Sequence, residues 1–118
     1  LFVMISEIGV TAMSKASAGI EVFHPERILS ACNANKLTEW AKDCLATGHK
    51  TLLIDFQYAS FIDSTGLGAL VKVHSLVKES GGEVILSSVR GQVQMMLEMT
   101  DMEQFFQIYP TQEAFLKK

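Results

Sequence analysis

The chain has 118 residues, 48% of them apolar and 19% charged, a size and composition typical of one globular domain with its own hydrophobic core. Ten Lys and Arg against thirteen Asp and Glu give a net charge of −3, with the basic residues scattered along the sequence. Direct binding of nucleic acid, which needs concentrated positive charge, and insertion into a membrane, which needs about 18 consecutive apolar residues, are both disfavoured.

The N-terminal segment, residues 1–19, is predicted to contain an edge strand over 2–10 and a turn or flexible stretch over 13–19. Its apolar start has no basic region and is interrupted by Glu7, so it does not resemble a signal peptide. The remaining chain, 20–118, is expected to form the domain itself.

The first half of that domain begins with a strand over 20–24, where apolar and polar residues alternate. Pro25 limits this strand to a sheet edge or a bend. A helix is predicted over 33–46, with Asn33 as its N-cap and Gly48 after its end. Its apolar stripe has helical spacing and comprises Ala34, Leu37, Ala41, Cys44 and Leu45.

Two short apolar runs, 51–56 and 83–88, are typical of strands buried on both faces. A loop containing Asp63-Ser64-Thr65-Gly66 and then a helix over 65–79 lie between them. A third helix is predicted over 91–100.

The chain closes with a strand over 105–109 and a helix over 112–118 that Thr111 can cap. Strands that alternate with helices predict an α/β fold with a mostly parallel sheet of four to five strands and about four helices. The opening strands could pair antiparallel with that sheet, which would then be mixed.

The thiols and imidazoles do not form a metal or catalytic pattern. Cys32 and Cys44 would lie about 18 Å apart on one helix, too far for a disulfide, so reduced thiols and an intracellular protein are expected. His24, His49 and His74 have neither the spacing of metal ligands nor a cysteine or carboxylate at such spacing. No metal or cofactor is therefore expected.

The glycines and methionines give two weaker signals. Residues 66–71 lack the lysine of a phosphate-binding loop, and Val71 replaces the third glycine of a dinucleotide motif. Four methionines near the third helix indicate core filling or an adaptable partner-binding surface; they are Met95, Met96, Met99 and Met102.

The segment 61–68 is the most informative part of the sequence. It follows a buried strand and opens a helix, which places it at the carboxyl end of a strand, where open α/β sheets hold their sites. Asp63 or Ser64 can cap the helix, and spacing alone favours an ordinary cap. A phosphate on Ser64 would lie beside the free N–H groups of the helix N-terminus, with Asp63 repelling it.

Residues 51–70, TLLIDFQYASFIDSTGLGAL, resemble the signature of STAS domains, specifically of bacterial anti-sigma factor antagonists. The family pattern is an apolar strand ending in Asp, a short loop and then Asp-Ser-[Ser/Thr]-Gly-[Leu/Ile]-Gly, which Asp55 and residues 63–68 match position by position. The resemblance extends over about 20–117. One departure is Ser30, which stands where the family usually has an Asp before its first helix.

This resemblance implies a non-enzymatic switch in the bacterial cytoplasm. The unphosphorylated antagonist would bind an anti-sigma factor that is also a serine kinase with a histidine-kinase-like ATPase fold, and so release the sigma factor. Phosphorylation of Ser64 would end binding, and a metal-dependent serine phosphatase would reset it. The residues implied in partner binding are Asp63, which would orient the hydroxyl, Ser64, Thr65, Gly66, Leu67 and Gly68, the two glycines allowing close backbone approach.

Two other functions are compatible with parts of the sequence. The first is a STAS interaction or scaffold module in another bacterial signalling pathway that controls no sigma factor. The second is a small α/β enzyme with its site at Asp63 and Ser64. The enzyme lacks a base, because no histidine lies in the loop and His74 is almost three helical turns away.

Overall fold

A computed structural model of the chain describes residues 19–117, so the strand predicted over 2–10 lies outside the described residues. The elements in chain order are β1 (Ile20–Phe23), β2 (Ile28–Leu29), α1 (Ala34–Ala46), β3 (Thr51–Asp55), β4 (Phe61–Ile62), α2 (Ser64–Glu79), β5 (Glu83–Ser87), α3 (Gly91–Met99), a 3₁₀ turn (Met102–Phe105), β6 (Gln107–Tyr109) and α4 (Gln112–Leu116). The predicted α/β fold with four helices and a mostly parallel sheet is confirmed.

Within residues 19–117, the main sheet has the strand order β1-β3-β5-β6, and every pairing in it is parallel. The antiparallel pairing considered for the opening strands is wrong for β1, because Ile20 pairs with Thr51 in parallel register. β1 is an edge strand among the described residues, as Pro25, two residues after its end, predicts. Parallel pairing follows from α1, which carries the chain back across the sheet between β1 and β3.

Hydrophobic clusters cover both faces of the sheet. The larger one packs α1, α2 and α3 against one face, and Leu52, Ile54 and Phe56 point into it. The smaller cluster lies on the other face, where Leu53 and Ile85 meet Phe115 of α4. Burial on both faces explains why β3 and β5 are continuous apolar runs rather than alternating ones.

A second sheet, which the sequence did not predict, is formed by β2 and β4 in the described part of the chain. Ile28 pairs with Phe61 and Leu29 with Ile62, again in parallel. No strand was predicted in either segment, because a two-residue strand is too short to show periodicity. This small sheet precedes α2 directly and therefore sets where that helix begins.

Near the C-terminus, the strand predicted over 105–109 is partly wrong. Met102–Phe105 form a 3₁₀ turn, and β6 begins only at Gln107. Asp101, with a φ of 58°, ends the preceding helix in the left-handed conformation that Asp tolerates better than most residues. The aromatic residues at 105 and 106 are typical of a strand. Here they lie at the end of the turn, where Phe106 is buried.

Candidate functional site

Ser64 is the first residue of α2, and its side chain is exposed. Asp63 is the N-cap: its extended backbone enters the helix, and its Oδ1 accepts a hydrogen bond of 2.8 Å from the Gly66 N–H. Thr65 is also exposed and Leu67 is half-buried. An accessible hydroxyl thus lies at the positive end of the helix dipole, an environment that favours an anionic group.

The two signature glycines have different surroundings. Gly66 is buried, and a Cβ at this position would lie 2.5 Å from the Leu29 carbonyl oxygen and 2.9 Å from Cγ1 of Ile62. Gly66 therefore lets α2 pack closely against the β2–β4 sheet of its own chain. Gly68 is exposed and a Cβ there would meet nothing within 4 Å, so its surface is open to a partner.

Two exposed apolar side chains adjoin the signature, and the sequence analysis did not include them. Ile28 is 42% exposed and Phe61 is 44% exposed. They are register partners in β2 and β4, so their side chains share one face while Leu29 and Ile62 are buried on the other. The sequence held one signal for this apolar surface. Phe61, three positions before Ser64, is an apolar residue in a segment that otherwise resembles a polar loop.

Asp55, the other acidic residue of the signature, does not join this site. It follows Leu53 by two positions, so its side chain leaves the sheet on the face of the smaller cluster. There it is buried, with Oδ1 accepting a 3.2 Å hydrogen bond from the Gln57 N–H and Oδ2 3.7 Å from Nδ1 of His24. The structure thus separates the two carboxylates of the matched pattern.

Ser30, which replaces the usual family Asp, builds the turn into α1. Its Oγ accepts a hydrogen bond from the Cys32 N–H, and its own N–H donates to Oδ1 of Asn33. Asn33 occupies the N-cap position as predicted, but its side chain makes no cap bond because it is committed to Ser30 and to the Ile28 carbonyl. These hydrogen bonds link β2 to the start of α1.

The two cysteines are free thiols, as expected. Cys32 is exposed, whereas Cys44 is buried on α1, and this burial, helped by the negative charges of Glu21 and Asp43, raises the pKa of the Cys44 thiol to about 12. A thiol held protonated is not a nucleophile at neutral pH. Cys44 therefore acts as a small apolar core residue.

The methionines divide between packed and exposed positions. Met96 and Met102 pack against the larger cluster, whereas Met95 is 50% exposed and Met99 is 73% exposed. Within residues 19–117, no group of three His, Cys, Asp or Glu side chains could hold a metal ion. The same part of the chain contains no helix that is both long and apolar enough to span a bilayer.

Comparison with known proteins identifies the fold and the family. The STAS domain family model matches residues 11–114. A candidate anti-sigma factor antagonist of Thermotoga maritima is 27% identical over 93 residues, which cover 78% of this chain and 82% of the relative.

Solved structures extend the similarity. The crystal structure of a candidate anti-sigma factor antagonist from Thermotoga maritima superposes with a TM-score of 0.78 at 25% identity, covering 85% of this chain and 86% of that one. The unphosphorylated anti-sigma factor antagonist SpoIIAA gives 0.67 at 18% identity, with 90% and 92% coverage. A sulfate transporter family protein of Wolinella succinogenes gives 0.74 at 19% identity, covering 85% of this chain and 86% of that one.

Proposed function

Because the chain belongs to the STAS domain family, we propose that it is an anti-sigma factor antagonist switched by phosphorylation of Ser64. In its unphosphorylated form it binds an anti-sigma factor serine kinase that carries an ATP-binding, histidine-kinase-like domain, and the sigma factor is released. A metal-dependent serine phosphatase restores the binding form. The proposal includes a cytoplasmic location, no enzymatic activity of its own, and no direct contact with nucleic acid or membrane.

The observation that carries this proposal is the exposed hydroxyl of Ser64 at the N-terminus of a sixteen-residue helix. A kinase needs an accessible acceptor, whereas a residue that served only as a cap would use its side chain to bond the helix. That capping bond is already made by Asp63. Ser64 is therefore free for modification without loss of the cap.

A phosphate on Ser64 would add about −1.5 to −2 charges at neutral pH to a position next to the Asp63 carboxylate. No ion pair among the described residues involves Asp63, so no salt bridge at this carboxylate offsets the added charge. The helix dipole would lower the cost of the phosphate in the free protein. In a closed interface, however, the charge must lose water, and a loss of about 1.4 kcal/mol already weakens binding tenfold.

The surface next to Ser64 suits a protein partner better than a small substrate. Ile28 and Phe61 supply exposed apolar side chains on one side, and Gly68 supplies open backbone on the other. Apolar and aromatic side chains around a central contact are typical of binding hot spots. We infer that the partner covers the exposed residues Ser64, Thr65 and Gly68 and the half-buried Asp63 and Leu67.

The test is phosphate mapping of the protein isolated from its host, followed by capture of partners with Ser64→Ala and Ser64→Asp baits. We expect one phosphate, at Ser64, that phosphatase removes. The Ala bait should retain an ATP-binding serine kinase, and the Asp bait should bind it at least tenfold more weakly. Thr65→Ala is the matched control, since it alters the neighbouring exposed hydroxyl and leaves Ser64 in place.

Other outcomes would redirect the assignment. If Ser64 stays unmodified through growth and stress, the phosphorylation switch is wrong and the chain is a constitutive binding module. If a kinase binds but no sigma factor is released, the chain is a STAS module of another signalling pathway. The similarity in fold to a transporter family protein shows that the fold alone does not decide between these functions.

A further inference from the structure

The short strand β4 has two edges, and among residues 19–117 another strand, β2, pairs with one of them. The Phe61 N–H donates to the Arg27 carbonyl at 3.2 Å, and the Asp63 N–H donates to the Leu29 carbonyl at 3.1 Å. The backbone groups of Ile62 point to the opposite edge, because successive residues of a strand alternate in the direction of their N–H and C=O groups. A buried residue cannot leave these groups unpaired without a free-energy cost.

Gln92 of α3 pairs both of them. Its Oε1 accepts from the Ile62 N–H at 2.9 Å, and its Nε2 donates to the Ile62 carbonyl oxygen at 2.9 Å. A carboxamide offers one acceptor and one donor side by side, as the backbone of a neighbouring strand does. The Gln92 side chain therefore makes the two hydrogen bonds that a third strand would make at this edge of β4.

A second side chain from the same helix terminus holds the preceding loop. Nη1 of Arg90 donates to the Phe56 carbonyl at 3.1 Å, and its Nη2 donates to the Gln57 carbonyl at 3.0 Å. Arg90 and Gln92 thus fasten both ends of the connection from β3 to β4, which leads directly to Ser64. The location of the phospho-acceptor depends on the start of α3, about 30 residues away in sequence.

We propose that Gln92 is a positioning residue for the phospho-acceptor segment. By fixing Ile62, it holds Asp63 and Ser64 where the kinase can phosphorylate the Ser64 hydroxyl. The position of that hydroxyl therefore depends on the position of α3. This inference rests on the proposed function for its effect on phosphorylation. The bridge between Gln92 and Ile62 can be tested without any partner.

The first experiment is amide hydrogen exchange by NMR on the full chain. Gln92→Leu removes both hydrogen bonds, and we expect the Ile62 amide to exchange roughly tenfold faster while the core amides of Leu53 and Ile85 change much less. Gln94→Leu is the matched control, since Gln94 lies on the same helix and bonds only the exposed Glu98. Equal exchange at Ile62 in wild type and Gln92→Leu would show that the bridge does not hold β4.

Gln92→Glu provides a test by partial restoration. A protonated carboxyl can both accept from and donate to Ile62, whereas an ionised one can only accept and faces the Ile62 carbonyl oxygen with like charge. The protection factor of the Ile62 amide in Gln92→Glu should therefore rise as the pH falls from 7 to about 4. The same change of pH should leave Gln92→Leu unaffected, and parallel behaviour of the two variants would contradict the bridge.

The second experiment measures phosphorylation of Ser64 by the kinase captured with the Ser64→Ala bait. If the substitution only unfolded part of the protein, less of it would be available as substrate, and KM would rise. A misplaced Ser64 hydroxyl lowers kcat, because the rate stays low even when the kinase is saturated. We expect Gln92→Leu to lower kcat at least fivefold and Gln94→Leu to leave it unchanged. An unchanged kcat in Gln92→Leu overturns the positioning role; if the wild type is not phosphorylated at all, the proposed function fails and hydrogen exchange alone decides the bridge.

Discussion

Gly66 illustrates how one residue can belong to a signature for reasons of packing. The family resemblance implies a partner contact for both Gly66 and Gly68. In the structure a Cβ on Gly66 would meet the Leu29 carbonyl oxygen, whereas Gly68 faces open space. The close approach of β2 could not be foreseen, because neither β2 nor β4 has a recognisable pattern in the sequence.

Alanine at the two glycines should therefore have opposite effects on stability. Gly66→Ala forces Leu29 and Ile62 apart, and overpacking of this kind costs about 1–3 kcal/mol. Gly68→Ala adds a better helix former to an uncrowded position of α2, which should stabilise the protein by about 0.5–1 kcal/mol. Urea denaturation of both variants measures this difference, and equal stability would contradict the crowding at Gly66.

At the scale of elements, α2 was predicted to within one residue because its start and its end both carry local signals. Asp63 caps it, and Gly81-Gly82 follow it. β2 and β4 were missed because two-residue strands show no periodicity and because they pair segments that are far apart in the sequence, Ile28 with Phe61 and Leu29 with Ile62. The sequence thus placed Ser64 at the start of α2, where the structure has it, and gave no sign of Ile28, which pairs with Phe61, or of Gln92, which bonds Ile62.

The cap and the charge of Asp63 can be separated experimentally. Asp63→Ala loses the bond to the Gly66 N–H and should destabilise the protein by about 1 kcal/mol. Asp63→Asn retains a capping oxygen, so its stability should stay close to that of wild type. The two variants are compared by thermal unfolding; a loss in Asn as large as that in Ala would show that the carboxylate charge, rather than the cap, stabilises α2.

For the whole molecule, the buried thiol of Cys44 predicts how global stability depends on alkaline pH. Its pKa is raised from 9.0 to about 12 in the folded protein, so the unfolded chain loses this proton first. The contribution of the protonated thiol to the free energy of unfolding is fully present below pH 9 and is lost as the pH rises from 9 towards 12. Denaturation at pH 8 and pH 10 should show a steeper loss in wild type than in Cys44→Ala, and identical losses would contradict this role.

The order of strands in the main sheet has a consequence for the synthesis of the protein. The described strands lie side by side in the order in which they occur in the chain, β1, β3, β5 and β6. Each new strand can therefore join the exposed edge of those already emerged from the ribosome, without being inserted between two paired strands. The Gln92 bridge forms only after α3 emerges, so the phospho-acceptor segment should be among the later parts of the nascent chain to reach its final geometry.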